Sequence, residues 1–360
     1  GGGGGGTGGT WVGAAATNWT AGGSWSSGGA PVAGDAATFD GAIGGNSTNM
    51  DAAGAAGTLN FSNAAGHTIS GSGTLTLGGG SGAGINATAG SSTISAPVAL
   101  SSALAANIAG GAKVSLGNLQ ASSQTIAKSG GGELEVNNLR SGAVSITGGK
   151  VTVTANGGAA GTSKVAGLSI SGAGAKLDLK DNDLVVQGGS LASVRSLIQS
   201  GYAAGAWSGD GIVTTGVAPA GKTAGLGYGQ ATAGGTLSGE SFAAGDTLVK
   251  FTYLGDADID GDVDGVDVGF WAGNFTGAGG SSSKLWAEGD WDYDGDVDGV
   301  DVGFWAGNFT GAGGGVLDLP GAQPEAAAML ESMGYTVVPE PASLGLLAVA
   351  AMAMGRRRRK

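Results

Sequence analysis

The chain contains one acidic segment twice, and this duplication constrains its fold more than any other feature. Residues 260–280 read DGDVDGVDVGFWAGNFTGAGG, and residues 294–314 repeat these 21 letters after 34 residues. With the aspartates just upstream, each copy places aspartate at positions 1, 3, 5, 7, 9 and 12 of a twelve-residue loop. The two ladders are Asp256, Asp258, Asp260, Asp262, Asp264 and Asp267, and Asp290, Asp292, Asp294, Asp296, Asp298 and Asp301.

This spacing is typical of an EF-hand-type calcium loop. Gly261 and Gly295 occupy position 6, where glycine permits the sharp turn, and position 7 ligates through its backbone carbonyl. Oxygen donors without nitrogen or sulfur favour calcium over zinc or copper. We therefore predict two Ca²⁺ sites, with folding of the module coupled to the metal. The alternative is a solvated acidic linker.

The negative charge of the chain is concentrated in this region. Residues 256–301 contain 13 acidic residues and one basic residue, Lys284, whereas residues 1–255 carry a net charge of −1. A bound cation would relieve the repulsion among carboxylates packed around one point.

The duplicated module resembles a type I dockerin, with Val263 and Val297 at position 8 of each loop and a helix after it. The resemblance implies a cohesin-like partner. However, positions 10 and 11 are Gly-Val here, where many cellulosomal dockerins have a Ser-Thr pair, so the partner is not carried over directly. The aromatic pairs form either a core between the two helices or a docking face: Phe270, Trp271, Phe304 and Trp305.

The last 24 residues form a second distinctive segment. Pro339, Glu340 and Pro341 precede an apolar stretch at 342–355, and Arg356, Arg357, Arg358 and Arg359 follow it. Fourteen apolar residues are fewer than the roughly 20 that span a bilayer comfortably. The order resembles the PEP-CTERM sorting signal, which implies export, a C-terminal membrane-sorting transmembrane helix and an exosortase-type processing enzyme. The apolar stretch argues against nucleic-acid binding by the arginines.

The first 250 residues predict a mainly β fold, because short runs of alternating apolar residues are separated by Gly, Ala, Ser and Thr. One apolar position in each of six runs recurs at spacings of 17 to 20 residues: Leu75, Ile94, Val114, Leu134, Val151 and Ile170. Such a period favours the stacked coils of a glycine-rich β-solenoid. The alternative is a disordered glycine-rich passenger.

Three tryptophans and a phenylalanine lie near the start of this region: Trp11, Trp19, Trp25 and Phe39. They predict a hydrophobic cap on the first coil, with a sugar-stacking platform as the alternative. Together with the strands TLTLGG and LDLKDNDLVV, they resemble proteins with autotransporter-associated β-strand repeats over residues 11–190.

The expected organisation has six parts. These are a Gly-rich leader at 1–10, the solenoid with its cap at 11–190, a connector at 191–253, the dockerin-like module at 254–314, a linker at 315–336 and the sorting signal at 337–360. Within the connector, Ser193–Ser200 predicts a short helix. No signal peptide is visible, so we interpret the sequence as a fragment or a processed chain. The absence of cysteine excludes disulfides and thiolate chemistry.

The sequence gives little support for catalysis. The single histidine, His67, is expected at the surface, and Asp178, Asp181 and Asp183 alternate with Lys176 and Lys180 as in a solvated charge ladder. We therefore expect an exported structural or adhesive protein of the cell surface or matrix, with polysaccharide as a candidate ligand. The alternative is a dockerin-bearing polysaccharide-degrading enzyme or its carbohydrate-binding accessory.

Overall fold

The computed structural model describes residues 8–42, 44–80, 82–280, 283–310, 316–319 and 321–338. These residues belong to two compact units, the first within Gly1–Val217 and Gln230–Phe251 and the second within Ala218–Gly229 and Thr252–Lys360. The expected connector at 191–253 is therefore divided between the two units.

Short strands dominate the described residues. In chain order they are β1 (Gly9–Thr10), β2 (Thr17–Asn18), β3 (Ala36–Phe39), β4 (Ser47–Met50), β5 (Gly54–Ala56), β6 (Thr58–Phe61), β7 (Thr68–Gly71), β8 (Leu75–Leu77), β9 (Ala83–Ala87), β10 (Ser91–Ile94), β11 (Val98–Leu100), β12 (Leu104–Ile108), β13 (Lys113–Leu116), β14 (Ile126–Ser129), β15 (Glu133–Val136), β16 (Arg140–Ile146), β17 (Lys150–Val153), β18 (Ser163–Ile170), β19 (Lys176–Asp178), β20 (Leu184–Val186), β21 (Gly211–Val213), β22 (Ala224–Gln230), β23 (Gly235–Leu237), β24 (Glu240–Phe242), β25 (Thr247–Tyr253), β26 (Val316–Asp318) and β27 (Thr336–Val338). The α-helices are α1 (Leu191–Tyr202), α2 (Gly265–Asn274), α3 (Gly299–Asn308) and α4 (Pro324–Ser332).

The first unit is a β-solenoid of about 7 turns, which confirms the predicted architecture. One parallel sheet runs β1-β3-β6-β9-β12-β14-β16-β18-β20 and continues with the antiparallel β25. A second parallel sheet runs β2-β4-β7-β10-β13-β15-β17-β19-β21, and a third, of three strands, runs β11-β8-β5. Each coil therefore contributes strands to two or three sheets, and neighbouring coils pair in parallel along their length.

The alternation of apolar residues produces the core, because every second side chain of a strand points inward. In β13, β15 and β17 the inward residues Val114, Leu134 and Val151 are in register and fully buried. Ile94 lies in the same sheet but pairs with Leu116, one inward position further along.

Two residues of the predicted equivalent set lie in other sheets. Leu75 pairs with Val98 in the three-stranded sheet, and Ile170 pairs with Ile146 in the first sheet. The prediction of one equivalent apolar position per coil was therefore wrong at these places. The reason is that each coil contains several apolar runs, and the glycine-rich corners between them vary in length.

The aromatic cluster at the start of the solenoid is buried, as predicted for a cap. Trp11, Trp19, Trp25 and Phe39 are each at most 2% exposed, and the Trp25 indole N–H donates to the Trp19 carbonyl at 2.8 Å. Trp19 and Trp25 meet edge to face with ring centroids 4.8 Å apart. A sugar-stacking platform needs exposed ring faces, so these rings do not form one.

His67 does not lie at the surface, which corrects the expectation from its Ala-Gly surroundings. Its side chain is 3% exposed, packs against Phe39 with ring centroids 4.3 Å apart, and shares a hydrogen bond of 2.8 Å between Nε2 and Thr48 Oγ1. Burial lowers the pKa of His67 to about 4. The imidazole is therefore a neutral part of the cap region.

The expected solvated charge ladder was also wrong, because Asp178 and Asp183 are buried. Asp178 accepts hydrogen bonds from the backbone N–H and the hydroxyl of Thr215. Asp183 accepts from the Ser238 hydroxyl and the Phe251 N–H, and burial raises its pKa. These carboxylates tie later segments to the solenoid, a role that alternation in the sequence does not reveal.

Helix α1 is longer than predicted and begins with a side-chain cap, since Ser190 accepts a hydrogen bond from the Ser193 N–H. Val194 and Ile198 form its buried face, and the helix packs on β21. Gly201 is required by this contact, because a Cβ there would lie 2.0 Å from the Ile212 carbonyl oxygen.

The second unit contains α2, α3 and a strand–helix–strand segment. The residues expected as a linker, 315–336, include β26, α4 and the start of β27, and β26 pairs in parallel with β27. Among the described residues, no helix has the length and apolar character needed to cross a membrane. The predicted sorting helix at 342–355 lies outside the described residues, as does the rest of the sorting signal apart from Val337 and Val338.

Candidate metal centre

Each aspartate ladder ends in a helix that its own carboxylates cap. In the first loop, Asp264 Oδ1 accepts from the Val266 N–H and Asp267 Oδ2 accepts from the Asp264 N–H, both at 2.7 Å. In the second loop, Asp298 and Asp301 form the same pair of bonds at 2.7 and 2.9 Å. This reciprocal capping satisfies N–H groups at the helix start and fixes positions 9 and 12 of both loops.

The backbone turns in the same way in both loops. Gly261 and Gly295 have φ of 110° and 95°, where an L side chain is strained. At position 4, Ile259 and Tyr293 also adopt positive φ, 55° and 62°. In the first loop, the Gly261 N–H donates to Asp256 Oδ2 at 3.0 Å, so position 6 turns back onto position 1.

The loops bring most of the predicted ligands together in groups of three, and the two groups of the second loop share no member. Four groups of three aspartates each offer carboxylate oxygens within 4.8 Å of one another: Asp256 with Asp258 and Asp267, Asp262 with Asp264 and Asp267, Asp290 with Asp292 and Asp294, and Asp296 with Asp298 and Asp301. Asp267 belongs to both groups of the first loop, whereas Asp260 belongs to neither. In the second loop all six aspartates belong to a group.

Burial of the carboxylates, together with their crowding, opposes their ionisation. Burial raises the pKa of Asp267 to about 7 and that of Asp301 to about 8, and neighbouring aspartates of each loop add to the rise. Burial also raises the pKa of Asp292 to about 6, again with repulsion from its neighbours. A cation among these groups would favour their ionised forms.

The donor set fits a calcium ion. Two oxygens that share one Ca²⁺ at 2.3–2.6 Å lie at most about 5 Å apart, which matches the carboxylate groups described above. Oδ1 of Asp296 is buried and has no hydrogen-bond partner among the described residues, so this atom is available to a cation. All donors are hard oxygens, and Lys284 is the one basic residue in the sequence between 256 and 301.

The two loop–helix copies are joined by reciprocal bonds that sequence reasoning missed. The Trp271 indole N–H of α2 donates to the Asp298 carbonyl of the second loop at 2.8 Å, and Trp305 of α3 donates to the Asp264 carbonyl of the first loop at 2.6 Å. Each loop is therefore supported by the helix of the other copy.

A second reciprocal contact involves the threonine that follows each helix. Thr276 exchanges hydrogen bonds with Val297 at position 8 of the second loop, and Thr310 does the same with Val263 of the first. Both threonines lie inside the duplicated 21 residues, which was the only signal in the sequence for this role.

The candidate docking face divides into core and surface residues. Trp271 and Trp305 are fully buried, so they belong to the core between the copies. Phe270 is 41% exposed and Phe304 is half-buried. At loop position 11, Val266 and Val300 are 55% and 53% exposed, so the apolar surface of the module lies at the start of each helix.

The sorting-motif residues Pro339, Glu340, Pro341, Arg356, Arg357, Arg358 and Arg359 lie outside the described residues. Comparison with curated proteins and with solved structures gives no significant match. A family model for the PEP-CTERM protein-sorting motif matches residues 337–360. The chain thus ends in a sorting motif that indicates an exported, envelope-associated protein processed by an exosortase.

Proposed function

We propose that the duplicated loops bind two calcium ions, one in each loop, and that calcium makes the module a folded unit of an exported structural protein. The observation that carries this proposal is the equivalence of the two loops. They share ligand spacing, the turn at position 6, positive φ at position 4 and reciprocal capping of the following helix.

The residues that would hold the ions are the aspartates of each ladder, with the backbone carbonyls of Asp262 and Asp296 at position 7. The bound ion supplies positive charge at the centre of each carboxylate group. This charge opposes the burial cost and the repulsion that together raise the pKa of Asp267 and Asp301, so folding and binding stabilise each other. Calcium is plentiful outside cells, where the sorting motif directs the protein.

The solenoid is the passenger in this proposal. It offers a long, regular surface suited to structural or adhesive contacts, including contacts with extracellular polysaccharide, and its buried Asp178 and Asp183 hold the fold together. The module would dock a cohesin-like protein through the apolar surface that includes Val266, Phe270 and Val300. The dockerin-like pattern of the loops supports this part.

Isothermal titration of the full chain with calcium tests the proposal. We expect two sites per chain, and Asp258→Ala or Asp294→Ala each to remove one of them. Both residues are exposed, so the substitutions do not disturb the core. Glu331→Gln, an exposed substitution in the same unit, is the matched control and should keep both sites. Two sites in the doubly substituted chain would refute the assignment.

A further inference from the structure

The segment formed by residues 316–319 and 321–338 leads into the sorting motif and packs on the candidate calcium module. Leu317 and Leu319, at and just after β26, are buried, as are Ala326 and Leu330 of α4. The Gln323 N–H donates to the Ala272 carbonyl of α2 at 3.0 Å. Strand β27 then pairs with β26, with Val337 opposite Leu317.

The contacts of this segment fall at the end of each metal loop. A Cβ on Gly265 would lie 3.8 Å from a methyl group of Leu317, and a Cβ on Gly299 would lie 3.5 Å from the Met329 methyl group. Gly265 and Gly299 are position 10 of the two loops. The segment therefore lies close to corresponding places on both copies, within ordinary van der Waals reach of a Cβ at position 10.

Tyr335 connects the segment to the core between the copies. Its ring lies 5.1 Å from the ring of Trp305 and 6.5 Å from that of Phe309, measured between centroids. The Trp305 indole donates to the Asp264 carbonyl in the first loop. One residue after Tyr335, β27 begins, and its last two residues, Val337 and Val338, are the first two residues of the matched motif.

We propose that calcium controls how the sorting motif is presented, since the folded loops hold residues 324–338 on the module and the calcium-free loops release them. This inference rests on the proposed calcium binding. The first loop fixes Trp305, and Trp305 provides the surface on which Tyr335 packs. Loss of the metal therefore removes the surface that holds the segment. A processing enzyme would then bind a motif whose first two residues, Val337 and Val338, are held in β27 when calcium is bound and released when it is not.

Hydrogen exchange of the full chain, followed by mass spectrometry of peptides within 324–338, tests this coupling. We expect calcium to slow exchange there about tenfold or more relative to magnesium or a chelator. Tyr335→Ala should abolish the slowing while calorimetry still finds two calcium sites. Tyr335→Phe, which keeps the ring, and Phe270→Ala, which removes an exposed ring from α2, should both retain it.

The outcomes separate this inference from the proposal on which it rests. Two calcium sites with unchanged exchange in 324–338 would overturn the inference alone, as would equal protection with and without calcium. Full protection in Tyr335→Ala would also overturn it, because the proposed contact would be dispensable. No calcium binding by the unmodified chain would overturn the calcium proposal and this inference together.

Discussion

Acid should destabilise the solenoid through its one histidine. Burial lowers the pKa of His67 to about 4, from about 6.5 in an unfolded chain. Between these values the unfolded chain binds a proton that the folded chain does not, so the free energy of unfolding falls as the pH falls from about 6.5 to about 4. A separation of about 2.5 pKa units corresponds to about 3 kcal/mol across this range. Above pH 7 the imidazole is neutral in both states and contributes no pH dependence.

Two measurements test this prediction. Because the chain has a single histidine, the imidazole signals in an NMR titration belong to His67, and we expect no titration above pH 5 in the folded protein. Denaturant unfolding at several pH values should show a steeper loss of stability in the unmodified chain than in His67→Gln, where the side chain does not titrate. A folded-state pKa near 6.5, or the same pH dependence in both proteins, would refute the burial argument.

Other substitutions test separate contacts. Lys128 is fully buried, and its ammonium group donates to the carbonyls of Ser129, Gly130 and Gly148. Lys128→Ala should therefore lower the free energy of unfolding by about 3 kcal/mol in denaturant titrations. An effect below about 1 kcal/mol would contradict this role. Trp271→Phe removes the hydrogen bond to the second loop and should weaken calcium binding there about fivefold in calorimetry, with less effect on the first loop. Equal weakening of both calcium sites would show that Trp271 does not support the second loop in particular. Gly261→Ala places a Cβ where φ is 110° and should abolish the first calcium site alone, whereas retention of both sites would contradict the turn geometry.

Local patterns in the sequence predicted the features that depend on neighbouring residues. The alternating runs predicted inward residues such as Val114 and Leu134, because side chains alternate along a strand whatever surrounds it. The aspartate ladders predicted that carboxylates of one loop lie close together, because residues that are near in the sequence share one turn. The sharp turn at position 6 could be predicted from the glycine there, because positive φ strains most other residues.

Features that depend on distant residues could not be predicted in this way. His67 is buried because Trp11, Phe39 and Thr48 surround it, and these residues come from other coils. Which residues stack between coils depends on the lengths of glycine-rich corners, so taking Ile170 as equivalent to Val151 was wrong. The bond of Trp271 to the Asp298 carbonyl likewise joins residues 27 positions apart.

Calcium titration of the full chain by calorimetry shows whether the duplicated loops bind calcium. We expect two sites per chain, one site in Asp258→Ala, one in Asp294→Ala and none in the doubly substituted chain. Magnesium at the same concentration should not replace calcium, because Mg²⁺ loses its water ligands reluctantly. Absence of binding by the unmodified chain, or two sites in the doubly substituted chain, would show that the loops are not calcium sites.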